Sequence, residues 1–279
     1  KATAIIDQGI IDQKSGDKQL SYNNLLDLDA AINIAYQTDT NQNICVIIKH
    51  NIPCGAAIKK SQLSAYEKAF KGDTLSAFGG IVAFNKIIEA KTAKSLSKNF
   101  FEVIAAPGFD QEALKILKMK KNLRLLRVKK QLSKVEQRSI FAGILMQESN
   151  HQKTSIKPIY GNNNLAHEQV EFFINILKQV KSNAITIFDK DSLLSQAGGQ
   201  TSRIDALENC ILKLKNRHKD KLSHQLYLFS DAFFPFTDSL KYIKKSNLIM
   251  NCYAPMGSKN DNQIEKFVNK YKLNFFCLD

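Results

Sequence analysis

Short apolar runs alternate with amphipathic segments along almost the whole chain. In the amphipathic segments apolar residues recur at helical spacing, as Ile204, Leu207 and Ile211 do. Ser202, with Asp205 three residues later, resembles a capping box at the start of that helix. The apolar runs lack strict polar alternation, as strands buried on both faces do. They are NICVII (43–48), IVAF (81–84), VIAA (103–106), AITIF (184–188), LYLFS (226–230), LIMNC (248–252) and LNFFC (273–277). This pattern predicts layered α/β domains.

A polar stretch with no apolar period interrupts the pattern near the middle of the chain. It is ESNHQKTSIKPIYGNNNLAHE (148–168), which contains Gly, Pro and an Asn run. We therefore predict two domains, residues 1–150 and 151–279. The total of 279 residues agrees with two domains at about 150 residues each.

Composition narrows the class of protein. Hydrophobic residues make up 44% of the chain, which excludes long disorder, and no run approaches the roughly 18 apolar residues of a membrane helix. The net charge of +14 indicates anionic partners, either nucleic acid or phosphorylated and polycarboxylate small molecules. However, the lysines are scattered through segments with a helical pattern such as ALKILKMKKNLRLLRVKK (113–130), where they also fit solvated helix faces.

The cysteines indicate a reducing compartment. Their number is odd, and they are widely spaced and mostly lie in apolar runs, as free buried thiols do. They are Cys45, Cys54, Cys210, Cys252 and Cys277. We expect a cytoplasmic protein with no membrane partner.

The strongest local feature is KHNIPCG (49–55), directly after the strand NICVII. Ligand crevices form at strand ends in α/β sheets, so Lys49 and His50 can face a substrate there. Pro53 and Gly55 are expected to constrain and turn the chain. A protonated Lys49 disfavours protonation of His50, which keeps the imidazole available as a base. A solvated lysine beside a histidine that is bonded to the backbone is the alternative.

Cys54 raises the question of zinc. A Pro-Cys pair in an α/β domain is reminiscent of the zinc deaminases, with their H-x-E and P-C-x-x-C motifs. Here the position of the second cysteine is Ala57, and the chain has no H-x-E motif. We therefore predict no metal site and a buried thiol for Cys54.

Three loops have compositions that suit ligand contact. SAFGG (76–80) precedes a strand and AGGQTSR (197–203) precedes a helix; their glycines let backbone approach a ligand, or simply form turns. Neither matches a P-loop or a dinucleotide-binding motif. SDAFFPF (230–236) places three phenylalanines after a strand, where they suit either a flat heterocycle or a hydrophobic plug between domains.

Together these segments resemble the formyltransferase half of the bifunctional purine biosynthesis proteins, 5-aminoimidazole-4-carboxamide ribonucleotide (AICAR) transformylase. The similarity covers most of the chain, from about Leu20 to the last helix. The matching strings, in the family's order, are LSYNNLLDLDAA, VIIKHNIPCGAA, GDTLSAFGGIVAFN, EVIAAPGFDQEALKILKMKKNLRLL, VKSNAI, AGGQTSRIDA and SDAFFPFTDSL. The resemblance implies an α/β fold of two cytidine-deaminase-like subdomains without zinc.

The resemblance also implies a reaction. A formyl group passes from the co-substrate 10-formyltetrahydrofolate to the amine of AICAR, without a catalytic metal, in a homodimer with shared active sites. His50 matches the general base, Lys49 the cation that stabilises the oxyanion, and Asn183 the residue that orients the histidine. The other implied site residues are the nucleotide contacts Asn24, Gly79, Glu102, Arg203 and Asp238, and the folate-side positions Ile204, Phe233, Gly257 and Ser258.

Two other functions stay open from the sequence. One is a nucleic-acid-binding module that uses the +14 charge, although the chain has no K/R-G-F/Y-G-F-V motif and we expect no nucleic-acid partner. The other is a catalytically incomplete fragment that keeps the fold and part of the binding site. The resemblance does not extend to an IMP cyclohydrolase domain, so that activity is not expected of this chain.

Overall fold

The computed structural model describes residues 9–16, 18–131, 135–150 and 153–279. Its strands are β1 (Ile11–Ser15), β2 (Asn43–Lys49), β3 (Ile52–Lys59), β4 (Ile81–Phe84), β5 (Val103–Ala106), β6 (Arg124–Val128), β7 (Val135–Ile140), β8 (Gly143–Glu148), β9 (Ile156–Tyr160), β10 (Ile185–Phe188), β11 (Leu193–Ala197), β12 (Leu226–Ser230), β13 (Met250–Ala254) and β14 (Phe275–Leu278). Its helices are α1 (Tyr22–Gln37), α2 (Gln62–Gly72), α3 (Thr74–Ala77), α4 (Ala90–Leu96), α5 (Gln111–Lys118), α6 (His167–Lys178), α7 (Arg203–Arg217), α8 (Asp238–Lys245) and α9 (Asp261–Tyr271). None of the helices in these ranges is long and apolar enough to cross a membrane.

Two six-stranded mixed sheets use separate parts of the chain. Their strand orders are β1-β6-β5-β4-β2-β3 and β9-β14-β13-β12-β10-β11. In each sheet three neighbouring strands are parallel, β4-β5-β6 in the first and β12-β13-β14 in the second. The remaining neighbours are antiparallel. Apart from the short α3, helices follow the strands in the same order, so the two halves repeat one topology.

The helices form three layers with the sheets between them. One buried core joins the central helices α1 and α6 to the inner faces of both sheets, through side chains such as Ile34, Phe173 and Tyr253. Helices α2, α4 and α5 cover the outer face of the first sheet, and α7, α8 and α9 cover that of the second. Both faces of each sheet are therefore buried, which explains the apolar runs. This architecture confirms the prediction of layered α/β structure.

Polar contacts join the two halves beside β3. The backbone N–H of Ile58 donates to the carbonyl oxygen of Asp191 at 2.9 Å, and Lys68 Nζ pairs with Asp189 at 2.8 Å. Directly after helix α7, the buried His218 places its Nε2 3.0 Å from the carbonyl oxygen of Gly72. The halves are thus joined by polar contacts as well as by the central core.

The segment 113–130 is not one helix, and that expectation from its helical pattern was wrong. Helix α5 ends at Lys118, and strand β6 begins at Arg124. Strand β6 lies between β1 and β5, where Leu125 and Leu126 are buried. Pairing on both sides of this strand outweighs the helical preference of its residues.

Pro53 and Gly55 do not turn the chain, contrary to expectation. Both lie inside β3, and the turn is formed by the two residues before that strand, His50 and Asn51, which both have positive φ.

The polar stretch 148–168 is also not a simple linker, because it contains β9. Strand β9 is a half-exposed edge strand, and such a strand tolerates its Pro158. The predicted domain boundary at 150/151 adjoins residues 151–152, which lie outside the described residues.

Strands β7 and β8 form a separate two-stranded sheet. Its residues are exposed, yet several are large and apolar: Ile140, Phe141, Ile144, Leu145 and Met146. An isolated hairpin is marginally stable in water, and several large apolar side chains exposed on one hairpin are typical of an interaction site. We refer to residues 135–148 as the apolar hairpin.

The packing of β3 on α2 gives a test of the fold. A Cβ at Gly55 would lie 2.0 Å from the carbonyl oxygen of Ala69, whereas a Cβ at Gly143 would have no atom within 4 Å. We expect Gly55→Ala to lower the free energy of unfolding by about 1–3 kcal/mol in urea denaturation, because backbone must move. The control Gly143→Ala should change it by less than about 0.5 kcal/mol. Equal stabilities would contradict this packing.

Candidate active site

Lys49 ends strand β2 against the SAFGG loop. Its Nζ donates to the carbonyl oxygen of Phe78 at 2.5 Å. Gly79 has φ +71, and a Cβ there would lie 3.5 Å from the ring of Phe100 and 3.9 Å from Lys49 Nζ. The predicted residues Lys49 and Gly79 are therefore neighbours, and glycine gives this loop its left-handed turn.

Asp27 holds the turn that follows Lys49. His50 and Asn51 have φ of 53° and 61°, a region that non-glycine residues rarely adopt. The carboxylate of Asp27 accepts both of their backbone N–H groups, at 3.0 Å from His50 and 2.5 Å from Asn51. The sequence reasoning missed Asp27; its only signal was a place in the segment LSYNNLLDLDAA on α1.

Asn24 contacts Glu102, which brings together two predicted nucleotide contacts. Asn24 Nδ2 donates to Glu102 Oε2 at 2.8 Å, while its own Oδ1 accepts the backbone N–H of Ser21. Arg124, with a side chain only 7% exposed, places Nη2 3.1 Å from the same Glu102 oxygen. Arg124 was missed because it lies in the segment with a helical pattern. For Glu102 Oε1 the described residues offer no partner.

Helix α1 places these two groups side by side. Asn24 and Asp27 are three residues apart and so share one face of the helix. Strand β2 is antiparallel to β4, so its carboxyl end meets the amino ends of β4, β5 and β6, where Ile81, Val103 and Arg124 are aligned. We refer to Lys49, His50, Asp27, Asn24 and Glu102 as the first cluster. It lies at the edge of the sheet opposite the carboxyl ends of the parallel strands, which usually line ligand crevices.

A second cluster surrounds Arg203 at the start of α7. Arg203 Nη1 pairs with Asp231 Oδ1 and lies 3.4 Å from the carbonyl oxygen of Ala184. Asp231 also accepts the backbone N–H of Ala184 at 3.0 Å. The preceding residue, Asn183, donates from Nδ2 to the carbonyl oxygen of Gln200 at 2.9 Å. The predicted residues Asn183 and Arg203 are thus brought together, and Asp231 between them was missed.

Two loops lie beside this second cluster. The carboxylate of Asp261 accepts the backbone N–H groups of Gly257 and Ser258, at 2.7 and 3.0 Å. Asn260 Nδ2 donates to the carbonyl oxygen of Pro235 at 2.7 Å, which ties this loop to SDAFFPF. The two loops that carry the predicted folate-side residues Phe233, Gly257 and Ser258 are therefore joined by a hydrogen bond.

The phenylalanines of SDAFFPF differ in burial. Phe234 is buried in the outer core of the second half and not between the two halves, whereas Phe233 and Phe236 are 38% and 62% exposed. Ile204 packs against the same core and is only partly buried. Asp238 begins α8. In the neighbouring loop, Gly257 has a φ of +128°, and a Cβ there would have no atom within 4 Å.

The two clusters occupy different edges of the two sheets. The first lies at the amino ends of β4–β6, and the second at the carboxyl ends of β12 and β13, which are opposite edges of the repeated topology. Across the described part of the chain, no hydrogen bond or ion pair joins Lys49 or His50 to Asn183 or Arg203.

Comparison with known proteins assigns the family. The family model "AICARFT/IMPCHase bienzyme" matches residues 3–213. This chain belongs to the AICARFT/IMPCHase family. The assignment confirms the resemblance found in the sequence and places both clusters in a chain of this family.

Two curated members of the family illustrate the similarity. "Bifunctional purine biosynthesis protein PurH" of Persephonella marina is 39% identical over 261 residues, which cover 91% of this chain and 50% of that protein. PurH of Buchnera aphidicola subsp. Baizongia pistaciae is 37% identical over 268 residues, covering 92% and 50%. The chain thus spans about half the length of these relatives. A solved structure, Acinetobacter baumannii RibD form 2, has a TM-score of 0.26 at 14% identity over 36% of this chain and 34% of its own, too low to bear on the fold.

Cys54 is a free thiol as predicted, but it is only partly buried. Its Sγ donates to the carbonyl oxygen of Ile47 at 3.4 Å. Burial, reinforced by the negative charge of Asp73, raises the pKa of Cys54 to about 12, so the group is protonated at neutral pH. Within residues 9–16, 18–131, 135–150 and 153–279, no group of three or more His, Cys, Asp or Glu is arranged to hold a metal ion.

The ion pair of the second cluster can be tested through stability. Asp231→Ala leaves the buried guanidinium of Arg203, 7% exposed, without its carboxylate. We expect the free energy of unfolding to fall by about 3–5 kcal/mol, measured by chemical denaturation. Adding Arg203→Met should recover at least half of the loss, because no buried charge then remains.

The matched control is Glu112→Ala, which breaks the exposed pair of Lys94 and Glu112. It should cost less than about 1 kcal/mol. A double variant Asp231→Ala/Arg203→Met that is as unstable as Asp231→Ala alone would contradict the account.

Proposed function

We propose that this chain catalyses formyl transfer in purine biosynthesis. The formyl group of 10-formyltetrahydrofolate passes to the 5-amino group of AICAR and gives the formamido nucleotide FAICAR. The observation that carries the proposal is the first cluster, where an ammonium and an imidazole are adjacent on a fixed turn beside Asn24 and Glu102. The family and the name of its PurH relatives support the pathway.

The chemistry of the transfer assigns roles to Lys49 and His50. The amine is conjugated with an imidazole that bears a carboxamide, so it is a poor nucleophile and must lose a proton as it attacks. The exposed imidazole of His50 accepts that proton. The C–N bond to the formyl carbon forms, and negative charge develops on the formyl oxygen, opposite the ammonium of Lys49. The bond to folate N10 then breaks, and N10 takes up a proton.

The remaining predicted residues divide between the two substrates in this proposal. Glu102 offers its Oε1, which has no partner among the described residues, to an O–H or N–H donor of the nucleotide, and Arg203 supplies a cation for the anionic nucleotide. Gly79 lets backbone approach it, while Asp238 provides a further polar contact. The exposed ring of Phe233, with Ile204 and the loop of Gly257 and Ser258, receives the flat folate ring.

We further propose that the active site is completed in a homodimer. Asn183 orients His50 in this scheme, yet the two residues belong to separate clusters in one chain. The apolar hairpin supports a dimer, because a second copy would cover its exposed side chains. In the proposed dimer, two-fold symmetry lets the first cluster of each chain face the second cluster of the other, so that both sites are completed in the same way.

The repeated topology supports the division into two subdomains. We propose that they span residues 1–150 and 151–279 and are cytidine-deaminase-like without zinc. The free cysteines support a cytoplasmic location. Small molecules rather than nucleic acid or membranes are the proposed partners.

His50→Ala in the intact protein tests the proposed function. We expect kcat for formyl transfer, followed as formation of tetrahydrofolate, to fall about 10²–10⁴-fold, because the amine proton has no acceptor. The KM for AICAR should stay within about threefold, since binding does not need the imidazole.

His224→Ala is the matched control, because His224 is exposed in the loop after α7 and lies outside both clusters. It should leave kcat unchanged. Normal turnover in the His50→Ala variant would refute the assignment of the base.

A further inference from the structure

His50 and Asn51 form the two-residue turn of the hairpin between β2 and β3, where Lys49 pairs with Ile52. Both residues are left-handed, with φ of 53° and 61°, as the common two-residue hairpin turns require. Histidine and asparagine adopt this region more often than most non-glycine residues, but less readily than glycine. An interaction from outside the hairpin can therefore lock the turn in this form.

Asp27 supplies that interaction. Its two carboxylate oxygens accept one N–H each, Oδ2 from His50 and Oδ1 from Asn51. Hydrogen bonds to an ionised carboxylate are among the stronger ones, and two parallel bonds also fix the orientation. The backbone on which the imidazole is mounted is therefore held by a side chain 23 residues earlier in the chain.

Asp27 is itself on a rigid support. Ser21 and Asn24 cap the amino end of helix α1. Leu28, the residue that follows Asp27, is buried in the central core. One turn earlier, Asn24 is bonded to Glu102. The helix thus fixes the His50 turn relative to the Glu102 group.

We propose that Asp27 is a positioning residue for the reaction: it keeps the His50–Asn51 turn left-handed and so aims the imidazole at the amine of the nucleotide. The inference rests on the proposed function and deepens it. Small displacements of a reacting group lower the rate of the chemical step far more than they weaken binding. Loss of Asp27 is therefore expected to lower kcat and to leave substrate binding nearly unchanged.

The experiment compares Asp27→Ala, Asp27→Asn and Asp27→Ala/Asn51→Gly in the intact protein. For Asp27→Ala we expect kcat to fall about 10–100-fold with the KM for AICAR within about threefold. Asp27→Asn keeps one acceptor oxygen and should lose less. Glycine at position 51 adopts positive φ without crowding, so the double variant should recover kcat at least threefold.

The matched control is Asp29→Ala, two residues further along α1, where the exposed carboxylate bonds only to Asn33 among the described contacts. It should leave kcat unchanged. A second readout, hydrogen exchange of the peptide that contains residues 50 and 51, should be at least tenfold faster in Asp27→Ala than in the unmodified protein.

The outcomes separate this proposal from the proposed function. If the unmodified protein does not transfer formyl groups, the proposed function fails, while the exchange measurement still tests whether Asp27 holds the turn. Unchanged exchange in a folded Asp27→Ala variant would overturn the proposal. A kcat loss in Asp27→Asn equal to that of Asp27→Ala, with no recovery from Asn51→Gly, would overturn it as well.

Discussion

The candidate site depends on the burial of helix α1 between the two sheets. The inward face of α1 is part of the core that both halves of the chain share. Polar side chains of its first two turns contact the site: Asn24 is bonded to Glu102, and Asp27 to the turn of His50. Because apolar packing fixes one side of the helix, the other side can hold polar groups in place. In this way α1 fixes the positions of the carboxylates of Asp27 and Glu102.

The repeated topology explains why the predicted site residues fall into two groups. Each half contains the same six-stranded sheet, but the first half uses the amino ends of its parallel strands and the second half uses the carboxyl ends. Lys49 and Asn183 therefore lie on opposite edges of equivalent sheets. A site that needs both groups requires a second surface, and in our proposal the other copy of the chain provides it.

The sequence predicts the elements whose signal is local. Strand β12 at 226–230 and the cap of α7 at Ser202 follow from a buried apolar run and a capping side chain. The apolar pattern gives the wrong element at β6, where pairing with β1 and β5 overrides helical spacing. The sequence also does not identify Asp27 and Arg124 as site residues, because their partners are 22 to 24 residues away and no local rule connects them. Lys49 and His50 stand out by their place at a strand end, whereas the other predicted site residues depend on the family resemblance. The structure adds the side chains that support them.

The central claim is that one active site takes Lys49 and His50 from one chain and Asn183 from the other. Its most direct measurement mixes two inactive homodimers, His50→Ala and Asn183→Ala, after subunit exchange. Half of the dimers are then mixed, and each contains one site with both residues intact, so we predict about a quarter of the normal formyl transfer activity. If the mixture stays as inactive as its components while exchange is shown to occur, the shared site is contradicted.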